Sequence, residues 1–495
     1  MIFENYALGK WIKGDGEGTA LFNAINGEKI GTASSNGLDF SQMMKYGREV
    51  GGPSLRKMTF QERGLMLKKL ALHLHSIKNK FYKTSSYTGA TKIDSWIDIE
   101  GGIGNIFANA SLRKEFPDLP YYIDGKYAKL SQNETFIGHH IMVPKEGICI
   151  HINAFNFPIW GMLEKISVNF MAGVPAIVKP ATLTCYLTEL MVREIIASNI
   201  LPEGSLQLIC GSANGIIDHA TSEDVITFTG SASTGKKLKS NSNLIDNSVP
   251  FNMEADSLNC SILGKDAIPG STNFDIFIKE VQKEMTVKTG QKCTAIRRVI
   301  VPEEFIKDVI DSLAKRLDKT IIGDPIVEGV RMGPLAGLSQ KREVIDKIIE
   351  LEKSQDIVYG NLYDFNVIGA DINKGSFLAP ILFLNEHPIT NTDCHEIESF
   401  GPVATIMPYK DIDQAIKIAR MGKGSLVCSI VTNDMKIAEN FVLGAASMHG
   451  RILILNEACA KESTGHGSPM PLLKHGGPGR AGGGEEMGGK RGILH

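Results

Sequence analysis

The sequence lacks the features that mark membrane, secreted and nucleic-acid-binding proteins. No apolar run reaches the roughly 18 residues that a membrane-spanning helix needs, and the chain does not begin with the apolar stretch of a secretory signal. Its 53 lysines and arginines are balanced by 55 aspartates and glutamates, which leaves no general positive excess for a nucleic acid. We therefore expect a cytoplasmic protein with neither nucleic acid nor a membrane as partner.

Metal-binding patterns are also missing. None of the eight cysteines stands in a C-x-x-C pair, the usual spacing of zinc ribbons and thioredoxin-like sites. His73 and His75 are two apart on a predicted helix, and His139 and His140 are neighbours in a predicted strand, so neither pair shares a face. No metal site is predicted, and scattered thiols fit a reducing compartment.

What is present is a regular alternation of strands and helices. Apolar or β-branched runs recur with helix-period stretches between several of them, which predicts an α/β fold with a parallel sheet wrapped by helices. Ligands of such sheets lie beyond the carboxyl ends of the strands. A second α/β series follows residue 254. The predicted strands are 147–152, 175–180, 205–210, 225–230 and 248–254, then 297–302, 429–433 and 451–456.

Two segments differ from this alternation. In residues 121–144, two β-rich runs flank a polar turn near Gln132 and Asn133, which predicts a long hairpin. An exposed two-stranded ribbon has open edges that favour pairing, so we expect a homodimer or a larger homo-oligomer. Residues 475–495 are glycine-rich and predict a loop or tail.

Two glycine motifs are candidates for dinucleotide binding. Residues 477–482 match G-x-G-x-x-G letter for letter, but no strand precedes them and a proline stands inside, so we interpret them as loop. Gly230, Ser231 and Gly235 are better placed, because they leave one predicted strand and open a helix whose N–H groups can approach a pyrophosphate. The alternative for these three residues is an ordinary strand–helix turn.

Two residues are candidates for acid–base and nucleophilic chemistry. Cys293 lies beside Lys292 and near Lys288, and positive neighbours favour the nucleophilic thiolate. The alternative is a buried, inert thiol. Glu254 ends a predicted strand, so its carboxylate is expected to point into the ligand crevice; the alternative is a structural ion pair.

Two further polar residues stand at strand ends. Asn156 directly precedes a predicted helix and is either its N-cap or an amide donor for an oxyanion. Lys179 ends a predicted strand and either contacts a ribose hydroxyl or phosphate or remains solvated. Neither residue decides the function alone.

Together, these segments resemble the aldehyde dehydrogenase family, whose motifs occur here in family order over residues ~10 to ~490. The resemblance implies a Rossmann-type cofactor domain with a parallel sheet, an α/β catalytic domain and a protruding oligomerisation hairpin. The motifs are Asn-Phe-Pro (156–158), Lys-Pro (179–180), Phe-Thr-Gly-Ser (228–231), Met-Glu (253–254), Gly-Gln-x-Cys (290–293) and Glu-Ser-Phe-Gly-Pro-Val (398–403). The expected boundaries are 1–120 and 145–254 for the NAD(P)-binding domain, with 451–474 returning to it, 255–450 for the catalytic domain, 121–144 for the hairpin and 475–495 for the glycine-rich segment.

The resemblance also implies roles for single residues. Cys293 would attack the aldehyde, Asn156 would hold the oxyanion, and Glu254 would activate the water that releases the acid. A covalent thiol adduct suits this chemistry, because an aldehyde must gain an sp³ centre before it can lose hydride. The residues implied at the NAD(P) cofactor are Phe155, Lys179, Thr182, Gly230, Ser231, Gly235, Glu398 and Phe400.

The finer resemblance is to one branch, the dehydrogenase half of bifunctional phenylacetate-degradation enzymes. It is carried by HINAFNFPIWGMLEKIS, GVPAIVKPAT, EADSLN, GQKCTAIRR and KHGGPGRAGGGEE. This branch implies an acyl-CoA semialdehyde as substrate and a hydratase as a fused or separate partner. The alternatives are a CoA-linked semialdehyde dehydrogenase of benzoate degradation, a CoA-acylating dehydrogenase, and a non-catalytic subunit of the same fold.

Three departures from the wider family matter. Phe155 replaces a frequent tryptophan, and Ala255-Asp256 replaces a frequent Gly-Gly. Thr182 stands where strict NAD users commonly carry a glutamate for the adenosine ribose. Because an acid repels a 2′-phosphate whereas a hydroxyl can donate to it, we expect NADP to be accepted and preferred over NAD.

Overall fold

The computed structural model describes residues 1–485 and 488–495. The strands are β1 (Ile2–Phe3), β2 (Asn5–Ala7), β3 (Lys10–Ile12), β4 (Thr19–Phe22), β5 (Lys29–Ala33), β6 (Tyr122–Lys129), β7 (Ile137–Met142), β8 (Cys149–Ile152), β9 (Ala176–Lys179), β10 (Leu206–Leu208), β11 (Val225–Thr229), β12 (Phe251–Glu254), β13 (Cys260–Leu263), β14 (Arg298–Pro302), β15 (Asp356–Tyr359), β16 (Ile381–Leu384), β17 (Val403–Tyr409), β18 (Ser425–Val431) and β19 (His449–Leu455). The helices are α1 (Phe40–Tyr46), α2 (Gly52–Lys57), α3 (Phe60–Ser76), α4 (Asn79–Ser86), α5 (Lys92–Ser111), α6 (Pro158–Ala172), α7 (Cys185–Ala197), α8 (Ala232–Lys239), α9 (Ser242–Asp246), α10 (Thr272–Thr286), α11 (Ile306–Leu317), α12 (Leu338–Glu352), α13 (Ile412–Arg420), α14 (Met435–Ala445) and α15 (Lys490–Leu494).

The first large sheet has the order β12-β11-β8-β9-β10-β2-β3. Its first five strands are parallel, and β2 and β3 add an antiparallel edge. In β9, Val178 packs into a core with α3, α5, α6 and α7, whereas Ile177 packs into a second core on the opposite face. Both faces are therefore covered, which is why these strands appear in the sequence as continuous apolar runs rather than as alternating patterns. The α/β prediction for this region is confirmed.

The second large sheet has the order β15-β16-β17-β14-β13-β18-β19, with β15 antiparallel to the rest. Its edge strand corrects one expectation, because β19 pairs in parallel with β18 and does not return to the first sheet. The physical reason is the short α14 connection, since a parallel strand that follows one crossover helix packs beside its predecessor.

The segment that does return to the first sheet is the glycine-rich ending. The Asn252 side chain donates to the Glu485 carbonyl at 3.0 Å, and Ile493 of α15 is buried in the core beside α6. This ending was expected to be a loop or tail, and α15 shows that it is partly helical and anchored.

The hairpin is formed by β6 and β7, which pair with each other on either side of the predicted polar turn. Nearly all of its residues are exposed to solvent. Elsewhere, no helix in residues 1–485 or 488–495 is both long enough and apolar enough to cross a bilayer.

Candidate active site

A thiol, a carboxylate and an imidazole meet where β12 ends. Ligand atoms of Glu254, Cys293 and His475 all lie within 4.8 Å of one another. The Glu254 carboxylate lies close enough to the Cys293 thiol to raise the pKa of that thiol. Glu254 and His475 are buried, whereas Cys293 is partly exposed. The structure thus brings together the two residues that the sequence nominated for chemistry.

The loop before Cys293 has an unusual backbone. Lys288, Thr289 and Gly290 have φ values of 53°, 55° and 66°, three successive residues in the left-handed region. Such a conformation persists only where surrounding contacts impose it. The Lys288 N–H donates to Asp94 Oδ1 at 2.7 Å, and a Cβ on Gly290 would lie 2.2 Å from the Gly401 carbonyl oxygen. The Gly-Gln-x-Cys spacing therefore reflects a tightly held loop.

The expected activation of Cys293 by neighbouring lysines is wrong. Lys292 Nζ lies 2.7 Å from both Glu284 oxygens, and Lys288 Nζ donates to Thr88. Burial and the carboxylates of Glu254 and Glu164 raise the pKa of Cys293 well above its usual range. The resting nucleophile is therefore a thiol, and the Glu254 carboxylate is a nearby acceptor for its proton.

Asn156 does not cap the helix that follows it. The first N–H groups of α6, at Ile159 and Trp160, donate to Asp98 Oδ1 at 3.1 and 2.7 Å. Asn156 Nδ2 instead donates to the Gln291 carbonyl at 3.0 Å, two residues before Cys293. The N-cap alternative is excluded, and the amide lies against the loop that carries Cys293, with a second N–H to offer.

His475 is a site residue that the sequence did not single out. Its Nε2 lies 3.0 Å from Glu254 Oε2, and its Nδ1 lies 3.3 Å from Arg451 Nη1. Because the Arg451 guanidinium can only donate, His475 Nδ1 accepts a hydrogen bond from it. His475 Nε2 therefore carries a hydrogen and donates to Glu254. Burial alone would lower the pKa of His475, but the Glu254 carboxylate outweighs burial and raises it. Its location in an apparent glycine-rich tail concealed it.

A second buried ionic group faces the thiol from α6. Glu164 Oε2 accepts from Trp160 Nε1 at 2.6 Å, and Lys165 Nζ lies 3.7 Å from Glu164 Oε1. Lys165 also donates to Thr229 at 2.8 Å. Burial raises the pKa of Glu164. The available sequence indication was a Glu-Lys pair within an otherwise apolar helix, since such residues are rarely buried without a role or a partner.

Two partly buried side chains, Lys179 and Glu398, have polar atoms without a partner and suit a nucleotide ribose. In the described part of the chain, the Lys179 ammonium has no hydrogen-bond or ion-pair partner, and burial lowers its pKa. Glu398 Oε2 accepts from the Ser257 N–H at 3.1 Å, whereas its buried Oε1 is unpartnered. Burial raises the pKa of Glu398 to about 8. Lys179 as a donor and Glu398 as an acceptor fit the ribose hydroxyls of NAD(P) that the family resemblance implies for them.

Three further predicted cofactor residues are Phe155, Phe400 and Thr182. The rings of Phe155 and Phe400 are 5.8 Å apart and nearly perpendicular. The Thr182 hydroxyl donates to the Gly211 carbonyl at 3.4 Å, just beyond β9.

Gly230, Ser231 and Gly235 form the predicted turn between β11 and α8. Ser231 caps α8, and a Cβ on Gly235 would lie 2.7 Å from the Met253 sulfur. Asp256 also accepts from the first N–H of α8, at 2.7 Å. Packing thus explains Gly235, and a carboxylate occupies part of the helix N-terminus proposed for a pyrophosphate.

Comparison with known proteins identifies this arrangement. The model of the aldehyde dehydrogenase family matches residues 11–493. The chain belongs to the aldehyde dehydrogenase family. It is an NAD(P)-dependent oxidoreductase that acts on an aldehyde.

Similar proteins of known name include the 3,4-dehydroadipyl-CoA semialdehyde dehydrogenase of Aromatoleum evansii. It is 38% identical over 479 residues, which cover 97% of this chain and 93% of that protein. Protein MaoC of Klebsiella aerogenes is 47% identical over 165 residues, or 33% of this chain and 48% of that protein.

Solved structures show the same aldehyde dehydrogenase fold. Betaine aldehyde dehydrogenase of Staphylococcus aureus, in complex with NAD+, superposes with a TM-score of 0.85 at 20% identity over 99% of this chain and 92% of that one. A mutant of aldehyde dehydrogenase C from Pseudomonas syringae, with NAD+ and octanal, gives 0.84 at 19% identity over 99% and 94%.

Proposed function

We propose that this aldehyde dehydrogenase oxidises an acyl-CoA semialdehyde, formed by ring cleavage of an aromatic acid such as phenylacetate, to the carboxylic acid. The observation that carries the chemistry is the position of the Cys293 thiol within 4.8 Å of the Glu254 carboxylate. The substrate class is supported by the relative from Aromatoleum evansii, whose name specifies a CoA-linked semialdehyde.

The first step forms a bond between Cys293 Sγ and the aldehyde carbon. The thiol proton passes to Glu254, the nearby acceptor. The carbonyl oxygen gains negative charge, which the second N–H of Asn156 Nδ2 and the Cys293 backbone N–H would stabilise. The contact of Asn156 with the Gln291 carbonyl, two residues before Cys293, supports this role. The product of this step is a thiohemiacetal on Cys293.

Oxidation needs a hydride acceptor, which NAD(P) supplies when bound. Lys179 and Glu398 would hold its ribose hydroxyls through their unmet polar atoms. Loss of hydride converts the thiohemiacetal carbon into a thioester. Phe155 and Phe400, whose rings pack against each other, would lie beside the cofactor.

Hydrolysis then requires a base for water. Glu254 releases its first proton and accepts one from the attacking water, the C–S bond breaks, and Cys293 Sγ recovers a proton. The His475 Nε2–H holds Glu254 through both steps. A base close to the thiol favours water, rather than a CoA thiol, as the acyl acceptor.

The test is an oxidation assay on 6-oxohexanoyl-CoA, with octanal and benzaldehyde for comparison. We expect a free carboxylic acid by mass spectrometry whether or not free CoA is added. A product that appears only with added CoA would assign the CoA-acylating reaction instead. Equal kcat/KM values for 6-oxohexanoyl-CoA and octanal would contradict the proposed substrate class.

We also propose that NADP is the preferred cofactor, because Thr182, three residues after Lys179, carries no negative charge that would repel a 2′-phosphate. Comparing kcat/KM for NADP and NAD in wild type and in Thr182→Glu tests this. We expect the wild type to favour NADP and the variant to favour NAD. A wild type that favours NAD would refute the proposal.

The cellular setting of the proposal follows from the same chemistry. The eight free thiols support a reducing cytoplasm as the site of action. The substrate would come from a hydrolytic ring-opening reaction, catalysed by a hydratase that is either fused to this chain or separate from it.

A further inference from the structure

A second cavity, of about 780 Å³, lies between α10, α11 and the first turn of α5. Two acids also line it, Asp275 and Asp94, of which Asp94 is buried and already bonded to Thr91 and Lys288. We call this cavity the basic groove. Its cationic residues are Lys279, Lys283, Lys315, Arg316, Lys319 and Arg331.

The charges of the basic groove are largely uncompensated. Lys283 has a carboxylate within 4.0 Å, that of Glu280 at 3.9 Å, and the other five cations have none among the residues that the structure describes. The chain as a whole carries a net charge of −2, so these cations are a local concentration. They converge from two helices and a loop into one concavity, which focuses a positive potential there. A site of this kind suits a polyanion.

The basic groove adjoins the catalytic loop. Thr286 and Val287 line it, and Cys293 follows six residues later in the same segment. Lys283 Nζ also donates to the Thr464 carbonyl at 3.3 Å. Three residues further on, Gly467 accepts from the Thr294 hydroxyl at 2.7 Å. One short segment, 464–467, therefore connects the groove with the residue next to the thiol.

Apolar surface lies at the edge of the same groove. Ile93 lines both the basic groove and a neighbouring cavity that also contains Trp96. Both side chains are more than half exposed, at 51% and 55%. Aromatic side chains exposed beside cations are the usual platform on which nucleic-acid bases stack.

We infer that the basic groove binds the phosphorylated nucleotide of coenzyme A, leaving the pantetheine arm to carry the aldehyde to Cys293. This inference rests on the proposed substrate class. The 3′-phosphate and pyrophosphate supply the negative charge that the groove lacks, and adenine matches the exposed Trp96. The groove is separate from Lys179 and Glu398, which are assigned to NAD(P), so both nucleotides can be bound together.

Two substrates with the same aldehyde test the inference: 6-oxohexanoyl-CoA and 6-oxohexanoyl-pantetheine, which lacks the nucleotide. The variant combines Lys279→Glu, Lys315→Glu and Arg316→Glu. Lys307→Glu is the matched control, because Lys307 is exposed on the same helix α11 but lies outside the groove.

We expect the triple variant to raise the KM for 6-oxohexanoyl-CoA about tenfold or more, since the loss of even one charge-assisted contact is worth roughly that factor. The kcat and the KM for 6-oxohexanoyl-pantetheine should change less than twofold. In wild type, added salt should raise the KM of the CoA substrate selectively. Lys307→Glu should behave as wild type with both substrates.

The outcomes separate the groove from the proposed function. If the wild type prefers the CoA substrate and the triple variant keeps this preference, the basic groove does not bind the CoA nucleotide, whereas the proposed function still holds. A wild type that oxidises octanal better than either thioester overturns the function. If the triple variant does not fold, competitive inhibition by 3′,5′-ADP is compared in wild type, Lys279→Ala and Lys315→Ala; inhibition that is absent, or equal in all three, overturns the groove.

Discussion

At the scale of single residues, the Glu254 carboxylate lies within 4.8 Å of the Cys293 thiol and accepts from His475 Nε2 at 3.0 Å. Glu254 takes the thiol proton first and a water proton later, so it must be deprotonated at two points in each catalytic cycle. Burial and nearby carboxylates raise the pKa of Cys293, so in the wild type the thiolate forms as Glu254 accepts its proton. Glu254 therefore acts both before and after oxidation.

Replacing Glu254 by glutamine is expected to separate these steps. Without a base for water, kcat should fall about 100-fold or more and a thioester on Cys293 should accumulate, visible by intact mass after addition of aldehyde and NADP. Removal of the carboxylate should also lower the pKa of Cys293, so its alkylation by iodoacetamide should begin at lower pH than in wild type. Peptide mass spectrometry, with Cys293→Ala as control, distinguishes this thiol from the other seven cysteines. Normal turnover would contradict the assignment.

His475 provides a second test at this scale. Replacing it by phenylalanine removes the donor to Glu254 and should lower kcat about tenfold or more, because a hydrogen bond to a charged group is lost. His475→Gln, which can still donate an N–H, should recover most of the activity at pH 8 while changing the pH profile. Equal loss in both variants would indicate that the residue only fills space.

Single residues also show where sequence analysis succeeds and fails. The chemical types of Cys293, Glu254 and Asn156 and their order along the chain were sufficient to nominate them. The partners of Lys292 and the position of His475 were not predictable, because both depend on contacts between segments far apart in sequence: Lys292 turns back to Glu284, and His475 reaches Arg451 and Glu254.

At the scale of elements, α6 begins with a cap supplied by another helix. Asp98 of α5 accepts from Ile159 and Trp160, which leaves Asn156 available for the thiol. Burial raises the pKa of Asp98 to about 7. The native state therefore retains a proton that the unfolded chain releases above about pH 4. The associated stability is present below about pH 4 and is lost as the pH rises through 7.

Asp98→Asn should remove this pH dependence, because asparagine keeps an acceptor oxygen but does not titrate. We expect the difference in melting temperature, variant minus wild type, to increase as the pH is raised from 4 to 7. The corresponding change in the difference between their free energies of unfolding is about 4 kcal/mol at most. Asp413→Asn, at the exposed start of α13, is the control and should leave the difference unchanged. A melting-temperature difference, variant minus wild type, that decreases as the pH rises would contradict the raised pKa of Asp98.

Most elements follow from their sequence patterns, but the pairing of the last strand did not. The apolar runs predict β8 to β12 and β14, and the capping box at Thr59 is present at the start of α3. The run at 451–456 predicts a strand, yet the sheet it joins depends on the α14 crossover and not on its own residues. The local sequence pattern thus determines that a strand forms here, and the connection to the preceding strand determines which strand it pairs with.

At the scale of the whole molecule, the exposed hairpin is the feature on which the predicted homo-oligomer depends. Seven large apolar side chains lie more than 40% exposed on it or at its base. Exposed apolar surface of this kind marks association sites. They are Ile123, Tyr127, Leu130, Phe136, Ile137, Ile141 and Val143.

Ile137→Asp combined with Ile141→Asp is therefore expected to reduce the assembly to smaller species without unfolding the subunit. Light scattering coupled to size-exclusion chromatography gives the mass, and circular dichroism checks the fold. Lys126→Asp, on the polar part of the same hairpin, should leave the mass unchanged. A double variant with the wild-type mass would show that the hairpin is not the site of association.

The left-handed run at 288–290 has a consequence for how the enzyme becomes active. Its anchors come from distant parts of the chain, Asp94 in α5 and Gly401 in the segment before β17. Individual sheets can regain their hydrogen bonds during renaturation before these anchors meet. Recovery of dehydrogenase activity should therefore lag behind recovery of the far-ultraviolet signal, which makes the nucleophile a late reporter of native assembly.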